Sequence, residues 1–331
     1  ELFFPHSPIL QVEGTFQDAV ILETLILSVL NHDCAVATAA SRMVTAATGR
    51  PLIEMGSRRT SEHAAWAAAR AAYLVGFSHT SNLEAGRRFD IPTLGTAAHA
   101  FTLVHDSEQE AFQAQIDALG TTTTLLVDTY DIKSAVDRAI DVAGPELGAV
   151  RIDSGDLPTV VAEVREQLDA RGAHQTRIVV TNDLDEFTIS RLQASAVDAY
   201  GVGTSVVTGS GHPAAGLVYK LVARETDSGE MLPVQKTSRG KANPGGEKRA
   251  LRRIEDGVAI EEHVQTSAAP SVTGRDLLID YVVNGERVDH GGNPLEHARA
   301  HHQSALQEMP VTAFRLSPGE PAIPTVIDQS S

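Results

Sequence analysis

Between residues 51 and 201 the chain alternates short apolar runs with longer segments whose apolar residues recur every three or four positions. Runs near 51–55, 74–78, 91–95, 123–127, 148–152, 177–181 and 197–201 predict strands. Periodic segments near 61–73, 81–88, 108–119, 131–143, 157–171 and 184–194 predict the helices between them. A helix between two strands returns the chain to the end where it began, so the strands run parallel. The run is long enough to form an irregular (β/α) barrel, which is favoured here over an open doubly wound sheet.

The flanking segments have a different character. Residues 1–14 read as strand, turn, strand, with Pro5 and Pro8 opposing a helix. Two apolar helices are predicted at 18–31 and 35–48. Beyond a β-rich stretch at Gly216–Arg224, Lys236–Arg249 is a Gly-, Pro- and Lys-containing loop. Short strands with turns at Glu255-Asp256-Gly257 and Asn284-Gly285 occupy 250–285, and a helix follows at 294–307. The expected organisation is a mixed α/β protein with a catalytic barrel, residues 21–239, inserted in a second, mostly β domain made of 1–20 and 240–331. On that helix His301-His302 is expected to be solvated, with no partners at metal-ligand spacing.

A net charge of −16, with no basic run beyond Lys248 to Arg253, argues against nucleic acid as a partner. One cysteine, Cys34, excludes an internal disulfide and fits a reducing, cytoplasmic setting. No apolar run is read as reaching a membrane span, so no membrane partner is expected. The opening ELFFPHSPILQVEG reads as strands already under way, which predicts a preceding segment.

Every polar cluster follows the C-terminal end of a predicted strand: 54–59, 78–82, 96–99, 128–131, 151–156, 182–183 and 201–204. In parallel barrels that rim carries the active site. In GAVRIDSGD (148–156), Arg151 lies inside an apolar strand and Asp153 at its end, where a charge must be paired or used. Asp156 reads as a helix N-cap, with Gly155 for the bend and Pro158 in the first turn. Glu54-Met-Gly-Ser-Arg58-Arg59 places two planar guanidinium forks, suited to carboxylate or phosphate oxygens, on one turn. Gly201-Val-Gly203-Thr204 is either a tight turn or a backbone cradle for an anion. His99, among small residues in Leu94-Gly-Thr-Ala-Ala-His-Ala-Phe101, is either a packed histidine or a phosphoryl acceptor.

In this order Leu22-Glu-Thr24, Ala37-Thr-Ala-Ala-Ser-Arg42, EMGSRR, Thr80-Ser-Asn82, GTAAHAF, Leu126-Val-Asp-Thr-Tyr-Asp131, VRIDSGDL, GVGT and Gly216-Leu-Val-Tyr-Lys-Leu221 resemble the motifs of the nicotinate phosphoribosyltransferases. The resemblance runs from about Val12 to Lys248 and is loose over the last 80 or so residues. It implies transfer of phosphoribosyl from phosphoribosyl pyrophosphate to nicotinate, with Mg2+ and with ATP hydrolysis coupled through a phosphohistidine at His99. It implies Arg151 and Asp153 as the ribosyl-phosphate grip, and Arg42, Arg58 and Arg59 as binders of carboxylate and pyrophosphate. Gly201, Gly203 and Thr204 become the 5′-phosphate loop, and Glu54, Ser81, Asn82, Asp128, Ser154 and Asp156 further substrate contacts. Metal ligands are not assigned by it. It also implies a homodimer with shared active sites, whose N-terminal segment supplies an aromatic residue to stack on nicotinate. The family's Asp-Phe-Gly is Glu54-Met-Gly56 here, without the aromatic side chain. A nicotinamide or quinolinate enzyme, or a silent ligand-binding relative, remains an alternative.

Overall fold

The computed structural model describes residues 1–236, 244–266 and 272–328. The chain divides into two units, 32–215 and a discontinuous one made of 1–31 and 216–331. The expected boundary at 239/240, like the middle of the Lys236–Arg249 loop, lies outside the described residues.

Helix α1 (Phe16–Ala47) crosses the first division. It is a single helix where two were predicted. The polar step Asn31-His32-Asp33 contains no glycine or proline, and its side chains have local partners: Asn31 Oδ1 accepts from Leu217 N at 2.8 Å, and Asp33 pairs with Arg70. Merging the two segments also makes one helix long and apolar enough, by length and composition, to cross a membrane, which corrects the sequence reading. Its second half is a core helix whose Ala35, Val36, Ala39, Ala40, Met43, Ala46 and Ala47 are buried.

The unit 32–215 then alternates as the periodicity requires. In chain order come β1 (Leu52–Glu54), α2 (Glu62–Leu74), β2 (His79–Thr80), α3 (Leu83–Phe89), α4 (His99–Leu103), α5 (Glu108–Leu119), β3 (Thr124–Leu126), α6 (Ile132–Ala143), β4 (Ala149–Ile152), α7 (Leu157–Ala170), β5 (Arg177–Val180), α8 (Glu186–Arg191), β6 (Ala199–Val202) and α9 (Thr204–Val207). The strands form one parallel sheet ordered β2-β1-β6-β5-β4-β3. This order follows the chain around a barrel that is open between β3 and β2, a half-barrel. Two expected strands differ. The run 74–78 is not a strand because α2 continues to Leu74, and β2 forms at 79–80 instead. The run 91–95 contributes one parallel bridge, Thr80 with Thr93, since Pro92 has no N–H for a ladder.

In the other unit, β7 (Ala223–Glu225) pairs with β8 (Met231–Pro233). A four-stranded sheet is ordered β11-β9-β10-β14, from β9 (Arg249–Glu255), β10 (Val258–Gln265), β11 (Arg275–Asp276) and β14 (Thr325–Asp328). The short hairpin β12 (Val282–Val283) and β13 (Glu286–Arg287) precedes α10 (Pro294–Gln307). Asp256-Gly257 and Asn284-Gly285 both take positive φ, 50° with 81° and 51° with 79°, as two-residue hairpin turns require. The predicted strands within 1–14 are absent, because Leu2 and Phe4 pack as single side chains against Ala259, Met309 and Ile323. Within 216–224 the only strand residues are the start of β7.

His302, expected to be solvated, is buried, and burial lowers its pKa to about 4. The folded protein therefore binds this proton less readily than the unfolded chain, so acidification below the ordinary histidine value near 6.5 favours unfolding. The expected loss is about 2 kcal/mol by pH 5. Thermal melts followed by circular dichroism should fall between pH 6.5 and 5, and His302→Leu should flatten that slope; an unchanged slope would assign it to other groups.

Candidate active site

The site is built where parallel strands end and helices begin, because there the last side chains of each strand project beyond the ladder. At the end of β4, Arg151 directs Nη1 to Thr96 Oγ1 at 2.6 Å and Nε to Thr181 Oγ1 at 2.9 Å, with Nη2 3.2 Å from Asp153 Oδ1. Thr181 in turn donates its hydroxyl to Asp153 Oδ1. Asp128, beyond β3, accepts through Oδ2 from Asp153 N at 2.9 Å and from Ser154 Oγ at 2.8 Å. Its side chain is 1% exposed, and its buried Oδ1 has no hydrogen-bond partner among the described residues.

His99 opens α4 and faces these groups. Its Nδ1 is 3.2 Å from Thr129 Oγ1, while Nε2 is 3.9 Å from Asp128 Oδ1 and 3.7 Å from Asp153 Oδ2. Ionised carboxylates only accept, so they favour the proton on Nε2; the Thr129 hydroxyl then donates to Nδ1. The imidazole is hydrogen-bonded to Thr129 on one edge and has two carboxylates within 4 Å of the other, yet its side chain is 42% exposed and open to a ligand.

The other strand ends continue the rim. Glu54 lies there but is fully buried, its oxygens accepting from Gly56 N and from Thr80 Oγ1 at 2.6 Å. Burial raises its pKa, against the hydrogen bonds from Thr80 and Gly56. Glu54 thus shapes the turn that carries Arg58 and Arg59. Those two arginines are exposed, and their side chains have no protein partner among the described residues. Asn82 Oδ1 caps α3 by accepting from Ala85 N at 2.8 Å, and its Nδ2 donates to Ser57 Oγ at 2.9 Å, joining the turns after β1 and β2. Ser81 is exposed beside it.

Two glycines, Gly201 within β6 and Gly203 just after it, serve different ends. A Cβ on Gly201 would lie 2.6 Å from Thr181 Cγ2 and 2.8 Å from Met55 Sδ, so close packing requires this glycine. A Cβ on Gly203 would meet only Met55 O, at 3.6 Å, leaving space beside Thr204. Gly56 in turn lies against Gly203: a Cβ there would be 2.8 Å from Gly203 O. Contacts therefore run without a break from β2 through β1, β6, β5 and β4 to β3.

Arg42, on α1, donates Nε to the buried Glu186 Oε1 at 3.0 Å and lies over the Phe187 ring, 6.0 Å from its centroid. Asp156 occupies the N-cap position of α7 and accepts from Thr159 Oγ1, which places it at the helix start. Sequence reasoning missed Thr129, Thr181 and Glu186. Thr129 was within reach, since it lies inside the Asp128–Asp131 cluster.

A half-barrel of parallel strands with arginine, histidine and carboxylate side chains gathered at the strand ends is an arrangement found in α/β enzymes. The fold is shared with a nicotinate-nucleotide pyrophosphorylase of Pyrococcus furiosus, at a TM-score of 0.74 and 27% identity over 87% of this chain and 73% of that one. The human nicotinic acid phosphoribosyltransferase also has a TM-score of 0.74, at 24% identity over 93% and 74%. No protein-family profile matches the chain. In sequence it is 54% identical to nicotinate phosphoribosyltransferase pncB1 of Mycobacterium tuberculosis, over 98% of this chain and 74% of that one. The chain belongs to the nicotinate phosphoribosyltransferase family.

Proposed function

We propose that the protein joins nicotinate to phosphoribosyl pyrophosphate, giving nicotinate mononucleotide and pyrophosphate in NAD salvage, with ATP hydrolysis coupled through phosphorylated His99. The observation that carries the reading is His99 itself, hydrogen-bonded to Thr129, within 4 Å of two carboxylates and open to solvent. Loss of pyrophosphate builds negative charge on the leaving group, which the exposed Arg58 and Arg59 would stabilise. The nicotinate ring nitrogen attacks C1′ without a base, because it carries no proton at pH 7; positioning supplies most of the acceleration. Phosphorylation of His99 adds close to two negative charges at the rim, enough to favour a different arrangement of the loops around it.

Magnesium fits the donor set. Asp128 and Asp153 are the carboxylates that would hold it, and the unpartnered Asp128 Oδ1 supports this. No group of three or more His, Cys, Asp or Glu among the described residues is arranged for a metal, so substrate phosphates and water would complete its shell. When bound it would screen pyrophosphate charge. The proposal includes the cytoplasm as compartment and a homodimer with shared active sites. Exposed Phe16, Ile21 and Leu25 on α1 support a partner chain there.

The test is a coupled assay: nicotinate and phosphoribosyl pyrophosphate should yield mononucleotide faster with ATP, and mass spectrometry should find an acid-labile phosphate on His99. Nicotinamide or quinolinate giving the faster reaction would replace this reading. The glycines provide a second check. Gly203→Val should weaken mononucleotide binding at least tenfold by calorimetry with little change in melting temperature, whereas Gly201→Ala should chiefly destabilise, by about 1–3 kcal/mol. Normal product affinity in Gly203→Val would place the phosphate loop elsewhere.

A further inference from the structure

We propose that Thr181 is a positioning residue of the site, its hydroxyl fixing Arg151 against Asp153 while its methyl packs over Gly201. This rests on the reading of Arg151 and Asp153 as the phosphoribosyl grip, and it adds a residue that no sequence motif pointed to.

Thr181 directly follows β5 and is 4% exposed. Its N–H donates to Ile152 O at 2.9 Å, continuing the β4–β5 ladder, so it stands beside the pair on the neighbouring strand. Arg151 and Asp153 are two residues apart along β4 and its exit, and so project to the same side. A guanidinium only donates and an ionised carboxylate only accepts, whereas a hydroxyl does both. The Thr181 proton goes to Asp153 Oδ1 in preference to the more distant Ile152 O at 3.5 Å, leaving oxygen lone pairs for Arg151 Nε at 2.9 Å. The direct pair, Arg151 Nη2 to Asp153 Oδ1 at 3.2 Å, fixes a single edge of the guanidinium. With Thr181 on Nε and Thr96 on Nη1, the plane of the fork is set by three neighbours.

The methyl has separate work. It is the atom that a Cβ on Gly201 would approach to 2.6 Å, so it fills the wall between β5 and β6. Serine would supply the hydroxyl without the methyl, and valine the methyl without the hydroxyl.

That separation makes the experiment. In a preparation whose parent is active, Thr181→Val should lower kcat/KM for phosphoribosyl pyrophosphate tenfold or more, mainly through KM, with KM for nicotinate within twofold. Thr181→Ser should restore kcat/KM to within twofold of the parent while melting roughly 2 °C lower. By NMR, the Arg151 Nε–H should exchange with water at least tenfold faster in Thr181→Val and at the parent rate in Thr181→Ser. Should the valine variant not fold, Thr181→Ala against Thr181→Ser isolates the same hydroxyl. Parent kinetics and exchange in Thr181→Val, or serine as impaired as valine or alanine, would overturn the proposal and leave Thr181 a packing residue. If the parent forms no nicotinate mononucleotide, the assigned reaction fails, and Arg151 exchange still decides the role of Thr181.

Discussion

Arg151→Lys is expected to leave a folded enzyme whose KM for phosphoribosyl pyrophosphate is raised at least tenfold and whose kcat/KM falls roughly 10- to 150-fold, the equivalent of about 1.5–3 kcal/mol. Arg151 joins three segments at once, through Thr96, Thr181 and Asp153. A lysine ammonium keeps the charge but concentrates it on one nitrogen, which cannot lie in the plane that satisfies all three. The ion pair with Asp153 would survive while the hydroxyls of Thr96 and Thr181 lost their donor. Steady-state kinetics alongside a thermal melt checks this, since the sheet ladder through Arg151 is backbone and should hold. An unchanged KM would show that the fork serves only the half-barrel and not the substrate.

The same residue shows where sequence reasoning stops. A guanidinium inside an apolar strand signals a partner or a use, and Arg151 has partners on two neighbouring segments, 96 and 181. Which of these it grips is a tertiary fact: Thr96 and Thr181 are distant in sequence, and a threonine at a strand end reads simply as strand former. The helices were legible because a helical stripe repeats over ten or more residues, as in α5 and α6, which match their expected spans within a residue. Short strands were less so. A two-residue strand such as β2 has no period, and its position depends on where α2 stops. The two glycines of Gly201-Val-Gly203 are equivalent in sequence; only the packing of Thr181 and Met55 against the first separates a steric need from open space beside the second. Glu54 likewise reads as a rim carboxylate, and only its burial against Thr80 and Gly56 turns it into a support for the arginine turn.

His99→Asn is expected to abolish substrate-stimulated ATP hydrolysis while leaving slow, ATP-independent formation of nicotinate mononucleotide. Asparagine approximates the size of the inner part of the ring and keeps a hydrogen-bonding amide within reach of Thr129, so α4 should keep its start. It has no ring nitrogen to take a phosphoryl group, and the proposed coupling ends there. The transfer step asks nothing of an imidazole base, because the attacking pyridine nitrogen has no proton to lose. The main loss should then be in substrate affinity, read as raised KM values with a smaller change in ATP-independent kcat. Following ADP and mononucleotide separately in the same reaction distinguishes the outcomes. ATP hydrolysis at the parent rate would remove His99 from the phosphorylation role. Complete loss of transfer in a folded variant would mean that the Asp128, Asp153 and Thr129 cluster needs the imidazole to hold its shape, and the pathway of coupling would have to be sought in that geometry instead.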